Sequence, residues 1–284
     1  MFKKLISVIA SLFLFISILF MAFWLSLSEE KLLAWSQFHL QKQLINQMSP
    51  IIEGVHTRFW GLEVESIELK DKNNHESLLK VTDLKIRFNL ISLLLKQELP
   101  FMFQSYGGTG DGAVEFWPEI RIKLNASNIV LNWIPVVQGS QIIKSNPKLS
   151  FEGEFSPDAN EGSVRLNMKG LSLNGKKEHT TLSVNLPDTN LKNITADLVF
   201  DAKQLNLNVQ TTGDISARIK GKIIGNWKRI RRSKVDLELY ADMLPQYQAK
   251  LGLFNNILNS YRASSGKISI RLSGNLMLPR IKKI

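Results

Sequence analysis

KVTDLKIRFNLISLLLKQ, residues 80–97, reads as a strand for its first half and as something else for its second. Leu84, Ile86, Phe88 and Leu90 fall on one side of an extended chain and Lys85, Arg87 and Asn89 on the other, the period of a half-buried strand. After Leu90 the alternation stops. Ile91, Leu93, Leu94 and Leu95 follow with only Ser92 between them, too apolar for a loop and too clustered for a strand with one wet face. Such residues need cover, and three kinds are open: an ordinary core, a membrane, or a surface meant for an apolar partner.

The same period of two dominates the rest of the chain. GLEVESIELK gives Leu62 and Val64, then Ile67 and Leu69, a change of phase at Ser66 that predicts a bulge or bend. EIRIKLNASNIVLNW repeats the device: Ile120, Ile122 and Leu124 point one way, and after Asn125 to Asn128 the set Ile129, Leu131 and Trp133 has changed phase. Further alternating runs centre on Leu166, Val184, Leu198, Leu207, Ala217, Leu237 and Ile270. Outward positions are Lys, Arg, Asn, Asp, Ser or Thr, and no helical crossover separates most of the runs. This is a mainly β chain whose sheet keeps one wet face, not a doubly wound enzyme. A single helix is expected late, where Tyr247, Leu251, Phe254, Leu258 and Tyr261 recur at helical spacing behind Pro245.

At the other end, Leu5 to Leu27 carry no charge, enough residues to cross a hydrocarbon core at about 1.5 Å each. The run is longer than the apolar core of a cleaved leader, and no small-x-small site ends it convincingly, so it reads as an uncleaved transmembrane anchor. Lys3 and Lys4 precede it and Glu29 and Glu30 follow, which leaves the N-terminus cytoplasmic and the remainder exported. Ser28 is a suitable N-cap for a juxtamembrane amphipathic helix carrying Leu33, Leu40, Leu44 and Met48. The expected organisation is a cytoplasmic tail (1–4), the anchor (5–27), the juxtamembrane helix (28–50) and a β-rich region (51–284).

Chemistry finds little foothold. The chain has no cysteine, which removes disulfides, thiolate metal sites and thiol nucleophiles together. His39, His56, His75 and His179 are scattered, none at a metal-ligand spacing, and no serine sits in a GxSxG elbow. GGTGDG (107–112) lacks the Lys and the following helix of a phosphate loop and reads as a turn or bulge. No catalytic residue, cofactor or metal is assigned. The chain is basic, with a formal net charge of +11. WKRIRRSK concentrates Trp227, Lys228, Arg229, Arg231 and Arg232, which on the exported side of a membrane suits lipid headgroups or an acidic protein rather than nucleic acid; a solvated hairpin loop is the plainer reading.

Anchor, amphipathic helix, GLEVESIELK, VTDLKIRFNLISLL, GGTGDGAVEF and the closing SGKISIRLSGNLMLPRIK together resemble the type II secretion system protein N family, in its AsmA-like branch. The resemblance runs from the anchor to the C-terminus and is densest over 54–116 and 244–281. It implies a single-pass bacterial inner-membrane protein with a periplasmic domain, a non-catalytic accessory of the secretion machine with other secretion subunits as partners. It also implies kinship with AsmA-like proteins, whose elongated, curved antiparallel sheets form grooves associated with lipid traffic. In that fold Leu84, Ile86, Phe88, Leu90, Ile120, Ile122 and Leu124 would line an apolar groove for phospholipid acyl chains, although apolar clusters more often simply fill a core.

Overall fold

The computed structural model describes residues 28–43, 48–58, 61–73, 75–87, 97–138, 142–175, 187–225 and 233–284. Fourteen strands follow one another in chain order in an antiparallel sheet, and helices are few. Contacts divide the chain into two units, Met1–Ser105 and Tyr106–Ile284. The stretch 51–284, read from sequence as one β-rich region, is thus divided after Ser105.

The first unit contains α1 (Glu29–Gln43), β1 (Met48–Arg58), β2 (Gly61–Asp71), β3 (Ser77–Arg87) and β4 (Glu98–Ser105). Ser28 caps α1 as its sequence suggests, its hydroxyl oxygen accepting the Lys31 N–H at 3.3 Å. The helix is shorter than expected. Met48 opens β1 instead of closing the helix, and Pro50 is buried within that strand. Proline cannot extend a helix but is tolerated in the first strand, where no neighbour on the outer side needs its missing N–H.

Ile52 opposes Ile67, whereas Val55 opposes Val64 and Val64 opposes Leu84. In a regular strand Ile52 and Val55 would face opposite ways. Gly54 and Asp83, at φ 58° and 51°, absorb the odd step, so Ile52, Val55 and Val64 join one buried cluster. This is the phase change seen in GLEVESIELK. Leu32, Leu33 and Leu40 of α1 complete the cluster with Leu62, Ile67 and Leu84, so α1 is the second layer of this unit. The leucine-rich segment 91–95, with Phe88 and Leu90, lies outside the described residues.

The second unit runs β5 (Gly108–Glu115), β6 (Arg121–Val130), β7 (Lys148–Ser156), β8 (Glu161–Leu173), β9 (Thr189–Phe200), β10 (Gln204–Gly213), β11 (Ile215–Ile224), β12 (Lys234–Met243), β13 (Ile268–Asn275) and β14 (Leu278–Lys283). Each pairs antiparallel with the next. Its helices are short: α2 (Pro135–Gln138), α3 (Pro245–Lys250) and α4 (Leu253–Asn259).

Three expectations are corrected here. GGTGDG is mostly strand: only Tyr106 and Gly107 turn, and Gly108 opens β5. A Cβ at Gly108 would stand 2.7 Å from Ile129 N and 2.9 Å from Asn128 C, so glycine is required where β6 bulges towards β5. The helix expected over 245–261 is two helices, because Gly252 at φ 54° leaves the right-handed region and ends the first. Leu131 and Trp133, read as strand residues, form a 3-10 turn with Trp133 exposed. The alternation around Val184 lies outside the described residues.

Substituting Gly108 should therefore cost more than substituting Gly153, whose added methyl would meet the Ser163 carbonyl at 3.3 Å and Val164 at 3.4 Å. Gly108→Ala is expected to destabilise by about 1 to 3 kcal/mol, and Gly153→Ala by well under that. Urea denaturation of the two variants beside the parent checks the order.

Candidate functional site

Directly opposed residues in an antiparallel pair share a face, so the registers of the second unit can be followed from strand to strand. Leu124 opposes Gly153, which opposes Val164, and the row continues through Leu198, Leu207, Gly221, Leu237 and Leu272 to Ile281. One row beyond lie Ile122, Phe155, Phe200, Leu205, Ile223 and Val235; on the other side lie Phe151, Leu166, Val209, Ile219, Leu239 and Ile270. A fourth row passes through Leu149, Met168 and Ile194 to Ile268. Asn128, at φ 59°, is the bulge that carries Ile129 into this fourth row beside Leu149.

One face of the unit is thus apolar from β6 to β13. With strands about 4.8 Å apart and alternate residues about 6.8 Å apart, four rows over eight strands cover roughly 34 by 20 Å. That is a footprint of about 700 Å² of sheet. Yet Leu124, Val164, Leu198, Leu207, Leu237 and Leu272 are half-buried, not buried. Burial is fuller at Ala126, Ala196 and Ala241 and at Ile129, Val235 and Ile268 on the flanking rows. Of the described helices only α1, in the first unit, lies along a strand; Tyr247 and Leu251 of the α3 segment are buried, and Tyr247 shares a 2.6 Å hydroxyl–hydroxyl hydrogen bond with Thr189. Among the described residues, no second layer closes the apolar face.

The opposite face is a ladder of charges. Arg165 donates from Nε to Asp197 at 2.8 Å and from Nη1 to Glu152 at 2.9 Å. Arg271 grips Asp236 with both nitrogens, at 2.9 and 3.0 Å, and holds its carboxyl below the usual carboxylate range. Shallow depressions of about 380, 450 and 500 Å³ open on this face, among Lys123, Glu152, Arg165 and Asp197 and their neighbours. Exposed pairs of this kind add little stability singly. Their effect is to keep this side wet and fix which side is not.

The residues expected to line a groove are distributed over both units. Leu84 packs in the cluster under α1, and Ile86 is half-buried on β3 of the same unit. Ile122 and Leu124 stand on the apolar face of the second unit, while Ile120 is exposed in the turn before β6. Phe88 and Leu90 lie outside the described residues, as do Trp227, Lys228, Arg229, Arg231 and Arg232. Leu198, Leu207 and Leu237 belong in sequence to separate alternating runs, and only the register of the strands joins them into one face.

One constellation the sequence does not announce is centred on His56. Its Nε2 is 3.1 Å from Glu65 and its Nδ1 3.4 Å from Glu29 on α1, while the Thr57 N–H donates to the same Glu29 carboxylate at 3.3 Å. The group ties the start of α1 to β1. No cluster of His, Asp and Glu able to hold a metal occurs among the described residues. Nor, among them, is any helix long and apolar enough to cross a membrane; the run 5–27 is not one of them. Comparison of the chain with known protein families, with characterised proteins and with solved structures returns no match.

Hydrogen bonding to Glu65, and then to Glu29, raises the His56 pKa above its ordinary value. A raised folded-state pKa means that the clasp contributes fully below the unfolded value near 6.5 and fades as pH rises through the folded one. Amide exchange in α1 should accordingly quicken beyond its intrinsic rate as pH rises above about 6.5. His56→Gln should abolish that extra step.

Proposed function

We propose that this chain is a non-catalytic, membrane-anchored envelope protein, an accessory of the type II secretion machinery, whose working surface is the apolar face of the second unit. The observation that carries the reading is the apolar face from β6 to β13, whose central leucines remain half-buried among the described residues. The likeness of the sequence to the protein N family supports the secretion context, and the reading of the uncharged run 5–27 as an anchor supports an inner-membrane location with the strands in the periplasm.

An apolar face this wide gains about 25 cal/mol for each Å² it buries, so it attracts hydrocarbon. An acyl chain spans half of a roughly 30 Å hydrocarbon core, about 15 Å, so the face has room for more than one. Phospholipid acyl chains are therefore the proposed occupant. The same feature favours a second reading, an AsmA-like lipid carrier serving outer-membrane maintenance. The polar ladder offers no evident catalytic group, its arginines Arg121, Arg165 and Arg271 being engaged by carboxylates on neighbouring strands.

A photo-crosslinking residue placed at Leu198 or Leu237 of the full chain in growing cells is expected to yield phospholipid adducts, and one at Asn208 on the wet face none. Adducts at neither apolar position remove the lipid role. Leu198→Glu should leave folding nearly intact, because no protein layer must accommodate the charge, and should impair the function that uses the face. Retention of exported enzymes in the periplasm favours the secretion reading. Increased outer-membrane permeability with normal secretion favours the carrier.

A further inference from the structure

We infer that the outward side of α1 is a membrane-docking surface, lying on the phospholipid headgroups of the bilayer from which the chain emerges. The inference rests on the reading of 5–27 as a membrane anchor. It assigns a role to a surface that neither the secretion nor the lipid-carrier reading uses.

The helix has two apolar sides. Leu33 and Leu40, with Leu32, are spent on β1 and β2. On the other side, Trp35 is 60% exposed and Phe38 65% exposed. Lys31, Trp35, Phe38 and Lys42 stand at i, i+4, i+7 and i+11, so the two rings form one stripe with an ammonium group at each end. The stripe is packed within itself: His39 lies with its ring centroid 4.2 Å from that of Trp35 and 5.4 Å from that of Phe38. A helix that has already covered its sheet has no folding reason to carry two large exposed aromatic rings on its far side.

Chain connectivity selects the occupant. The uncharged run ends at Leu27 and Ser28 caps α1, so no linker intervenes that could carry the helix away from the membrane. Trp35 lies about 10 Å along the helix from its first residue, at a rise of 1.5 Å per residue. Indole and phenyl rings settle at the boundary between headgroups and acyl chains, while lysine ammonium groups reach the phosphates above them. Of the acids in the first turn, Glu29 is turned towards His56 and Thr57 on the sheet side. Docked in this way, α1 becomes a spacer of one helix diameter, about 10 Å, between the bilayer surface and β1–β2.

The test uses the full chain, whose lack of cysteine allows single introduced thiols to be labelled cleanly. Phe38→Cys, and separately Ser17→Cys within the uncharged run, carry an environment-sensitive fluorophore and are reconstituted into vesicles of phosphatidylcholine and phosphatidylglycerol. Lipids bearing a nitroxide high on the acyl chain serve as quencher. The label at 38 is expected to shift to the blue and to lose about half its emission to the nitroxide lipid. Quenching at 17 but not at 38 overturns the docking surface and leaves the anchor standing. A blue-shifted label at 38 that lipid does not quench means a protein covers the stripe, and also overturns it. Quenching at neither position removes the anchor and the docking surface together.

Discussion

Antiparallel pairing sets directly opposed side chains on the same face, and the rest of this molecule depends on that constraint being kept from strand to strand. Short alternations, each too weak to specify anything alone, become a two-sided sheet because the registers of β6 to β13 keep like with like. A slip of one residue at any pair would bring charged side chains into the apolar rows. The left-handed residues belong to the same constraint. At Asn128, and at Gly54 with Asp83, one residue in a left-handed conformation absorbs an odd step and returns the next apolar side chain to its own face.

The two units use this design differently. In the first, α1 lies over the apolar side and closes a small core of Ile52, Val55 and Val64. In the second, helices α2 to α4 are too short to cover a face built by eight or more strands, and the leucines of its central row, such as Leu198, Leu207 and Leu237, remain half-buried while Ile129, Val235 and Ile268 beside them are buried. Charge pairs such as Arg165 with Glu152 and Asp197 define the opposite side by keeping it hydrated. The energetic consequence is a surface held by its backbone hydrogen bonds and edge-to-edge side-chain packing, with hydrocarbon affinity left over on one side.

How much of this was legible in the sequence depends on what each signal measures. Alternation is local, so β2, β3, β6 and β8 to β13 were readable, and the phase changes at Ser66 and Asn125 to Asn128 marked where the chain bends its rule. β5 was not, because GTGDG carries no alternation; its glycine at 108 answers to the crowding of β6, a non-local cause. The late helix was over-extended because Leu251, Phe254 and Leu258 keep helical spacing across Gly252, and periodicity is blind to a single left-handed residue. The candidate groove residues fall on β3 of the first unit and β6 of the second, and sequence order does not tell which strand a helix covers. Leu84 is covered by α1 within the first unit, and Ile122 and Leu124 are half-buried on the second. The His56 clasp joins residues 27 and nine positions apart on α1 and β2, a pairing that only the fold creates.

Thiol accessibility tests the open face most directly. With Leu198, Leu207 or Leu237 replaced singly by cysteine in the otherwise cysteine-free chain, and Val64 replaced likewise as a covered reference, reaction with a small maleimide is followed after bound lipid is removed. An open face predicts that the three positions of the second unit react readily while position 64, beneath α1, stays protected until the protein unfolds. Equal protection at all four would mean that the apolar rows are sealed by protein, and would contradict the account.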